Sequence, residues 1–469
     1  MMAVDRSRLP ALGTDRSIHF PPVVKHRFAS GLELWSVEHR ELPIMSSALL
    51  LRVGSAADPA DRPGLAAFTA DMLDEGSGES NALEVSDRLA RIGAQFDTEI
   101  GADATLLSVA SLAQYAGPAL SLLFEMIMRP RFEPEEVRRV RTVRLARLMQ
   151  LRDVPSALAD RLIGKRLYDG HPYGHAGFGT EAALAAMTLD DLRGFHGTRF
   201  RGADAVLVMV GDASHDEMRR LVEGAFDGQG EWGRTVSAED VSVLPAGLAP
   251  GESRVALIDR PDAQQSELRV GRVAVPRSTP DYHTLNVLNT ALGGSFVSRI
   301  NLNLREQKAY TYGARSSFDY RLGPGPFTVQ TSVQTDKTAE SVGEILRELR
   351  EVQEARPITV EELERAQAAL VRGFPRGFET ADQIARAVTQ LALYDLPDDY
   401  FDRYVPRIQA VTQADVTEAA RRHLRMDDMQ VVVVGDRRQS FDALATLGLG
   451  TPIDVPLDLD AAPAAAPRG

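Results

Sequence analysis

The sequence predicts an α+β protein made by tandem duplication of two homologous domains, each a mixed β-sheet with helices mainly on one face. Internal repetition is the first observation behind this. FEPEEVRRVRTVRLARL resembles ITVEELERAQAALVRGF, pairing Glu135 with Glu361, and RLYDGHPY resembles ALYDLPDDY, pairing Tyr168 with Tyr394; both offsets are 226 (361 − 135 and 394 − 168). MTLDDL matches VTQADV, and AVLVMVGD matches QVVVVGD with Gly211 against Gly435, an offset of 224 (435 − 211). The second observation is that each unit closes on a nearly uniform apolar run, 205–210 or 431–434. Such a run is expected of a strand covered on both faces.

The elements follow in order. Stretches 31–39 and 45–54 read as strands, the first carrying Leu32, Leu34, Trp35 and Val37, the second the apolar run 48–51. A loop with Asp58, Pro59, Asp61, Arg62 and Pro63 leads to a helix from Gly64, which puts Leu65, Phe68 and Met72 on one face and stops at Gly76. Helix 83–92, a β-compatible region 96–111 and helix 115–128 come next, and Pro130 breaks the pattern. A long helix begins at Glu133-Pro134-Glu135, where acidic residues and proline suit an N-terminus. Its arginines, 138, 139, 141, 144, 147 and 152, read as an exposed or interface face. The domains are therefore expected at 20–229 and 254–448, joined by a linker at 230–253 and followed by a disordered tail at 449–469.

Composition narrows the function. A chain of 469 residues exceeds one ordinary core. Sixty-six acidic against 53 basic residues, a net charge of −13, argue against a nucleic-acid surface. There is no cysteine, which excludes disulfides, thiolate metal sites and cysteine nucleophiles. The first residues lack the apolar run of a secretory signal, and no stretch approaches the ~20 apolar residues of a membrane span. The expected location is cytoplasmic, or periplasmic if the true start carries a signal.

The most informative stretch, 292–316, reads LGGSFVSRINLNLREQKAYTYGARS. Phe296, Ile300 and Leu304 fall at helical spacing and are expected to anchor one face. Arg305 offers a planar cationic fork and Tyr312, seven positions on (312 − 305), a phenol; together they can hold peptide carbonyls or a developing oxyanion. The plainer alternative is a surface ion pair and a half-buried strand tyrosine.

This stretch resembles the C-terminal signature of the M16 (insulinase-like, pitrilysin-type) metallopeptidases, LGGG-x-x-SR-L-x-x-x-LRE-x-x-G-x-x-Y. Gly293, Gly294, Ser298, Arg299, Leu304, Arg305, Glu306 and Tyr312 fall on the pattern, and Ala309 stands where the family usually has glycine. The resemblance assigns substrate binding to Arg305 and Tyr312. It also places GLAAFTADML where active members carry an inverted zinc motif, putting Ala67, Ala70 and Asp71 at the His, Glu and second His positions. Two methyls and one carboxylate do not make that site. The third ligand falls near Arg147, which cannot coordinate a metal.

Other metal sites are poorer. Asp71, Asp74 and Glu75 read as a solvated face, and His171 and His175 lie in a loop, HPYGHAGFGT, whose Pro172, Gly174 and Gly177 keep the two rings off a common helical face. The resemblance thus implies a chain with no cofactor of its own, inactive alone, that pairs with a zinc-motif M16 paralogue in a bacterial-type heterodimeric peptidase acting on unfolded or short peptides. The alternatives are a non-catalytic scaffold or peptide-binding subunit of the same fold and, third, an autonomous metallopeptidase using other ligands. Neither nucleic acid nor membrane is expected as a partner.

Overall fold

Two six-stranded sheets carry the duplication. The computed structural model describes residues 19–202, 205–226, 232, 241–245, 247 and 252–460. The strands are β1 (Val24–Arg27), β2 (Glu33–Glu38), β3 (Ile44–Leu51), β4 (Gly76–Ser77), β5 (Ser80–Asn81), β6 (Gln95–Ile100), β7 (Thr105–Leu112), β8 (Val206–Gly211), β9 (Val255–Asp259), β10 (Gln265–Val273), β11 (Thr311–Phe318), β12 (Pro326–Gln334), β13 (Gln430–Gly435) and β14 (Ile453–Asp454). The first sheet runs β1-β2-β8-β3-β7-β6 and the second β11-β12-β10-β13-β9-β14, with β4 and β5 forming a small separate ribbon. Both sheets are mixed: β8 lies parallel to β2 and antiparallel to β3, and β13 lies parallel to β9 and antiparallel to β10.

The order β2-β8-β3-β7-β6 thus repeats as β9-β13-β10-β12-β11. The apolar runs that mark the repeat are the central strands β8 and β13, buried along their whole length. Gly211 and Gly435 end them at equivalent places. A Cβ on Gly211 would meet the Ile44 carbonyl and one on Gly435 the Ser266 hydroxyl, both at 2.2 Å, so only glycine lets the neighbouring strand pass.

Each half lends a helix to the other. Helix Pro155–Leu167 of the first half packs on β10 and β13, where Leu158, Ala159 and Leu162 join Ala256, Ile258, Val432 and Val434 in one buried cluster. Helix Ala381–Leu393 of the second half packs on β3 and β8, where Ile384, Val388 and Leu391 join Val37, Ala48, Leu50 and Val208. These are the repeat-equivalent helices, each followed by its matched tyrosine. Tyr168 donates its hydroxyl to the Pro324 carbonyl at 2.8 Å, and Tyr394 donates its own to the Tyr320 carbonyl at 2.9 Å. The opposite face of each sheet is covered by helices of its own half.

Three expectations change. Residues 449–460 are ordered: β14 pairs in parallel with β9, Leu459 is buried, and Arg161 pairs with Asp460. The prolines and aspartates misled composition there, because one strand and one apolar side chain suffice to dock the segment. Residues 461–469 lie outside the described residues, as do 1–18 and most of the expected linker. Within that linker, however, Trp232 is buried in the first core and donates Nε1 to the Phe200 carbonyl at 3.0 Å. Finally, the arginine-rich helix, Pro134–Arg152, does not present all its arginines outward: Arg144 is 4% exposed and Arg141 donates to the Met187 carbonyl. No helix among the described residues is long and apolar enough to cross a membrane.

Candidate functional site

The helix expected from Gly64 spans Leu65–Asp71. Asp58 fixes its start, accepting from Gly64 N at 2.6 Å and Ala66 N at 2.7 Å, and burial pushes its carboxyl up to about 7 against those bonds and Arg144. Gly64 sits at φ +91, and a Cβ there would meet the Gly179 Cα at 2.5 Å; this helix start needs glycine on both counts. Ala67 and Ala70 are buried methyls. Asp71, in the place that the resemblance gives to a histidine, pairs instead with Arg144.

Arg144 is a buried partner for this helix end. It donates Nη2 to the Phe178 carbonyl at 3.0 Å, and its guanidinium lies 5.7 Å from the Phe68 ring and 5.2 Å from the Phe178 ring. Arg147, near which the resemblance puts the third ligand, is exposed one turn further along and bonds Gln150 at 3.4 Å. The three carboxylates are not a solvated face: Asp71, Asp74 and Glu75 are half-buried, and Glu75 pairs with Arg139. Burial, with help from Glu75 and Asp71, pushes the Asp74 carboxyl up to about 6. These groups line a shallow cavity of ≈ 320 Å³ together with Arg139 and Arg144. Among the described residues no three His, Cys, Asp or Glu side chains converge as metal ligands would. The residues at the zinc-motif positions therefore do not fit a zinc ion.

The HPYGH segment is a tight turn, Pro172–Gly174. His171 accepts at Nδ1 from Tyr173 N at 3.0 Å, whereas His175 faces the Ser55 carbonyl at 3.4 Å, so the rings serve different neighbours.

In the second half, helix Tyr282–Leu292 ends at Gly293, where a Cβ would meet the Ser316 hydroxyl at 2.3 Å; this brings the turn against β11. Helical structure resumes only at Arg299–Asn301 and continues as a π-helix, Leu302–Gln307, a widened turn frequent at functional sites. Ile300 and Leu304 are buried as expected, but Phe296 precedes the helix and is 66% exposed. Arg299 anchors the segment through two bonds to Glu362, at 2.7 and 2.5 Å, and Asn303 anchors it through Glu344 and Glu348, at 2.8 and 2.7 Å. Ala309 adopts φ +56, the left-handed conformation that the family's glycine takes more easily.

Arg305 lies on the π-helix and Tyr312 on the β11 bulge between Thr311 and Ala314. Tyr312 is 92% exposed, not the half-buried strand tyrosine of the plainer reading. Its strand is the last of the second sheet, and the turn before it covers part of that edge: Ala314 N donates to Asn301 Oδ1 and Ser316 N to the Gly293 carbonyl, both at 2.9 Å. Arg305 stacks on Phe296 at 4.2 Å and has Glu306 at 3.6 Å. Asn301, unremarked in the sequence, ties these parts together: its Nδ2 donates to the Phe296 carbonyl at 2.6 Å and its Oδ1 accepts from Ala314 N at 2.9 Å. No local pattern announces such a residue, because its partners lie five positions back and thirteen ahead.

The duplicated sheets, the helix at 65–71 and the signature at 293–312 define an insulinase-type fold. The family model described as Insulinase (Peptidase family M16) matches residues 36–181, and that described as Peptidase M16 inactive domain matches residues 186–370. The chain belongs to the M16 family. It is 23% identical over 414 residues to the non-peptidase homolog YmxG of Helicobacter pylori, spanning 86% of this chain and 91% of that protein. It is 25% identical over 398 residues to an uncharacterized zinc protease of Mycobacterium tuberculosis, spanning 84% and 89%. A crystal structure of a peptidase M16 inactive domain from Pseudomonas fluorescens superposes with a TM-score of 0.81 at 26% identity, covering 88% of this chain and 98% of that one.

Proposed function

We propose that this chain is the non-zinc subunit of a heterodimeric M16-type metallopeptidase, binding no metal itself and contributing Arg305 and Tyr312 to peptide hydrolysis at the zinc site of a paralogue. The observation that carries this reading is the contrast between the halves. At the metal position the first half has two buried methyls and an Asp71–Arg144 ion pair, while the second half holds Tyr312 out in solvent on a braced bulge.

In this reading the substrate peptide lies extended along the sheet edge where Tyr312 is exposed, held through its backbone, which tolerates varied sequences. Arg305 donates to a peptide carbonyl, and Tyr312 donates its hydroxyl proton in a hydrogen bond to the oxyanion as it forms. Tyr312→Phe in the assembled pair should lower turnover by about 10²–10³. Turnover left unchanged in a pair that still assembles would remove Tyr312 from the reaction.

The name of the Helicobacter relative, a non-peptidase homolog, favours a second reading, a non-catalytic scaffold or assembly subunit. In that case neither Arg305 nor Tyr312 has work to do on a peptide, and replacing both leaves every property of the assembly unchanged.

A further inference from the structure

The two halves repeat a groove as well as a fold, but with its charge reversed. In the first half Arg139 and Val143 stand on helix Pro134–Arg152 in the wall of the ≈ 320 Å³ cavity at the metal position, where four carboxylates, Asp71, Asp74, Glu75 and Asp97, outnumber the two arginines. Their repeat equivalents, Arg365 and Ala369 at the offset of 226 (365 − 139 and 369 − 143), line a groove of ≈ 370 Å³ on helix Val360–Gly373 of the second half. Arg365, Arg372 and Arg376 are its charged groups, all exposed, and among the described residues no carboxylate lines it. Ala368, Ala369 and Gly373 give it a low floor: nothing stands within 4 Å of where a Cβ on Gly373 would be. The start of this helix is tied to the signature segment, because Glu362 accepts two bonds from Arg299.

Arg372 and Arg376, four positions apart, are like charges whose repulsion an anion relieves. The spacing suits a chain better than one small anion. Along the helix axis Arg365 and Arg372 stand about 10 Å apart, and Arg372 and Arg376 about 6 Å. Side chains on one face of an extended peptide recur every ~7 Å, so a short acidic stretch can reach all three.

We propose that this groove binds an extended acidic stretch of the substrate peptide, its carboxylates accepting charge-assisted hydrogen bonds from Arg365, Arg372 and Arg376. The substrate class is then peptides with aspartate or glutamate at alternate positions. This rests on the reading of the chain as a peptide-binding subunit, and it needs neither Arg305 nor Tyr312.

The test uses the full chain and two fluorescein-labelled decapeptides, one carrying glutamate at three alternate positions and the other glutamine at the same places. Fluorescence anisotropy at low salt should show the glutamate peptide binding about tenfold more tightly, the worth of two or three exposed charge pairs, and the difference should shrink as salt rises. Arg365→Glu and Arg376→Glu should each remove most of that preference, whereas Arg138→Glu, the same change at an exposed arginine of the first half, should leave it. Equal binding of the two peptides, or a preference weakened as much by Arg138→Glu as by Arg365→Glu, overturns the proposal. So does a labelled oligothymidylate of similar charge that binds more tightly than the glutamate peptide. If the mixture with the zinc-motif paralogue produces no hydrolysis but the preference still follows residues 365 and 376, the heterodimer reading fails and this inference stands. Hydrolysis by the mixture with no preference for the glutamate peptide leaves that reading and removes this inference.

Discussion

From the middle of helix Pro134–Arg152, Arg144 donates to the Asp71 carboxylate at the end of helix Leu65–Asp71 and to the Phe178 carbonyl at 3.0 Å. This ion pair joins the two helices at the place where the family resemblance puts a metal ligand. An acidic and a basic side chain, one of them buried, thus take over the bridging of helix to helix.

Removing the buried partner tests that role. Arg144→Ala strips Asp71 of its counter-charge and Phe178 of a donor, and should destabilise the fold by roughly 1–3 kcal/mol. Replacing both residues together should cost less than the two single changes summed, because no charge is left alone. Urea denaturation of the four proteins of this cycle reads both quantities. A change within about 0.5 kcal/mol for Arg144→Ala would mean the pair is incidental.

The exchanged helices predict that the halves unfold together. Leu391, on the helix that the second half lends to the first sheet, is fully buried among Val37, Leu50 and Val208. Leu391→Ala should cost about 2–5 kcal/mol. It should move a single cooperative transition seen alike by the fluorescence of Trp35 and Trp232, both packed in the first half, and by circular dichroism. Two separate transitions would show that the exchange does not couple the halves.

Acid should weaken the second half through His283. The ring is buried among Tyr282, Tyr400 and Tyr404, and its Nε2 finds no partner among the described residues. Burial, with the charges of Arg407 and Arg277, brings its pKa down to about 4 from an ordinary 6.5. Between those values the unfolded chain binds a proton that the folded chain refuses. His283 therefore contributes stability that is fully present above pH 6.5 and is lost as pH falls towards 4, by up to about 3 kcal/mol. His283→Leu should flatten stability over this window, measured as denaturant midpoint against pH. An unchanged pH profile would place the acid sensitivity elsewhere.

Much of this molecule is readable from sequence where a side chain's neighbours are local or repeated. The duplication was visible in Glu135 and Glu361, and β8 and β13 in their uninterrupted apolar runs. The helix at 65–71 and its methyls were visible in GLAAFTADML. What escaped depends on distant chain. Arg144 looked like its exposed neighbours because rotation about the helix is set by packing, and Phe296 matched a helical spacing that the Gly293–Ser298 turn interrupts. Asn301 could not be singled out, since its value lies in joining a turn to a strand. The helix exchange is equally silent, because an apolar helix face does not say which sheet will cover it.

The split-site reading is tested most directly by peptide hydrolysis with this chain alone, its zinc-motif paralogue alone, and the two mixed, each with and without a chelator. Chelator-sensitive cleavage that appears only in the mixture is the predicted result. A paralogue fully active by itself, to which this chain adds nothing, would contradict it and leave the scaffold reading; cleavage by this chain alone would show that its ligand-poor helix had been misjudged.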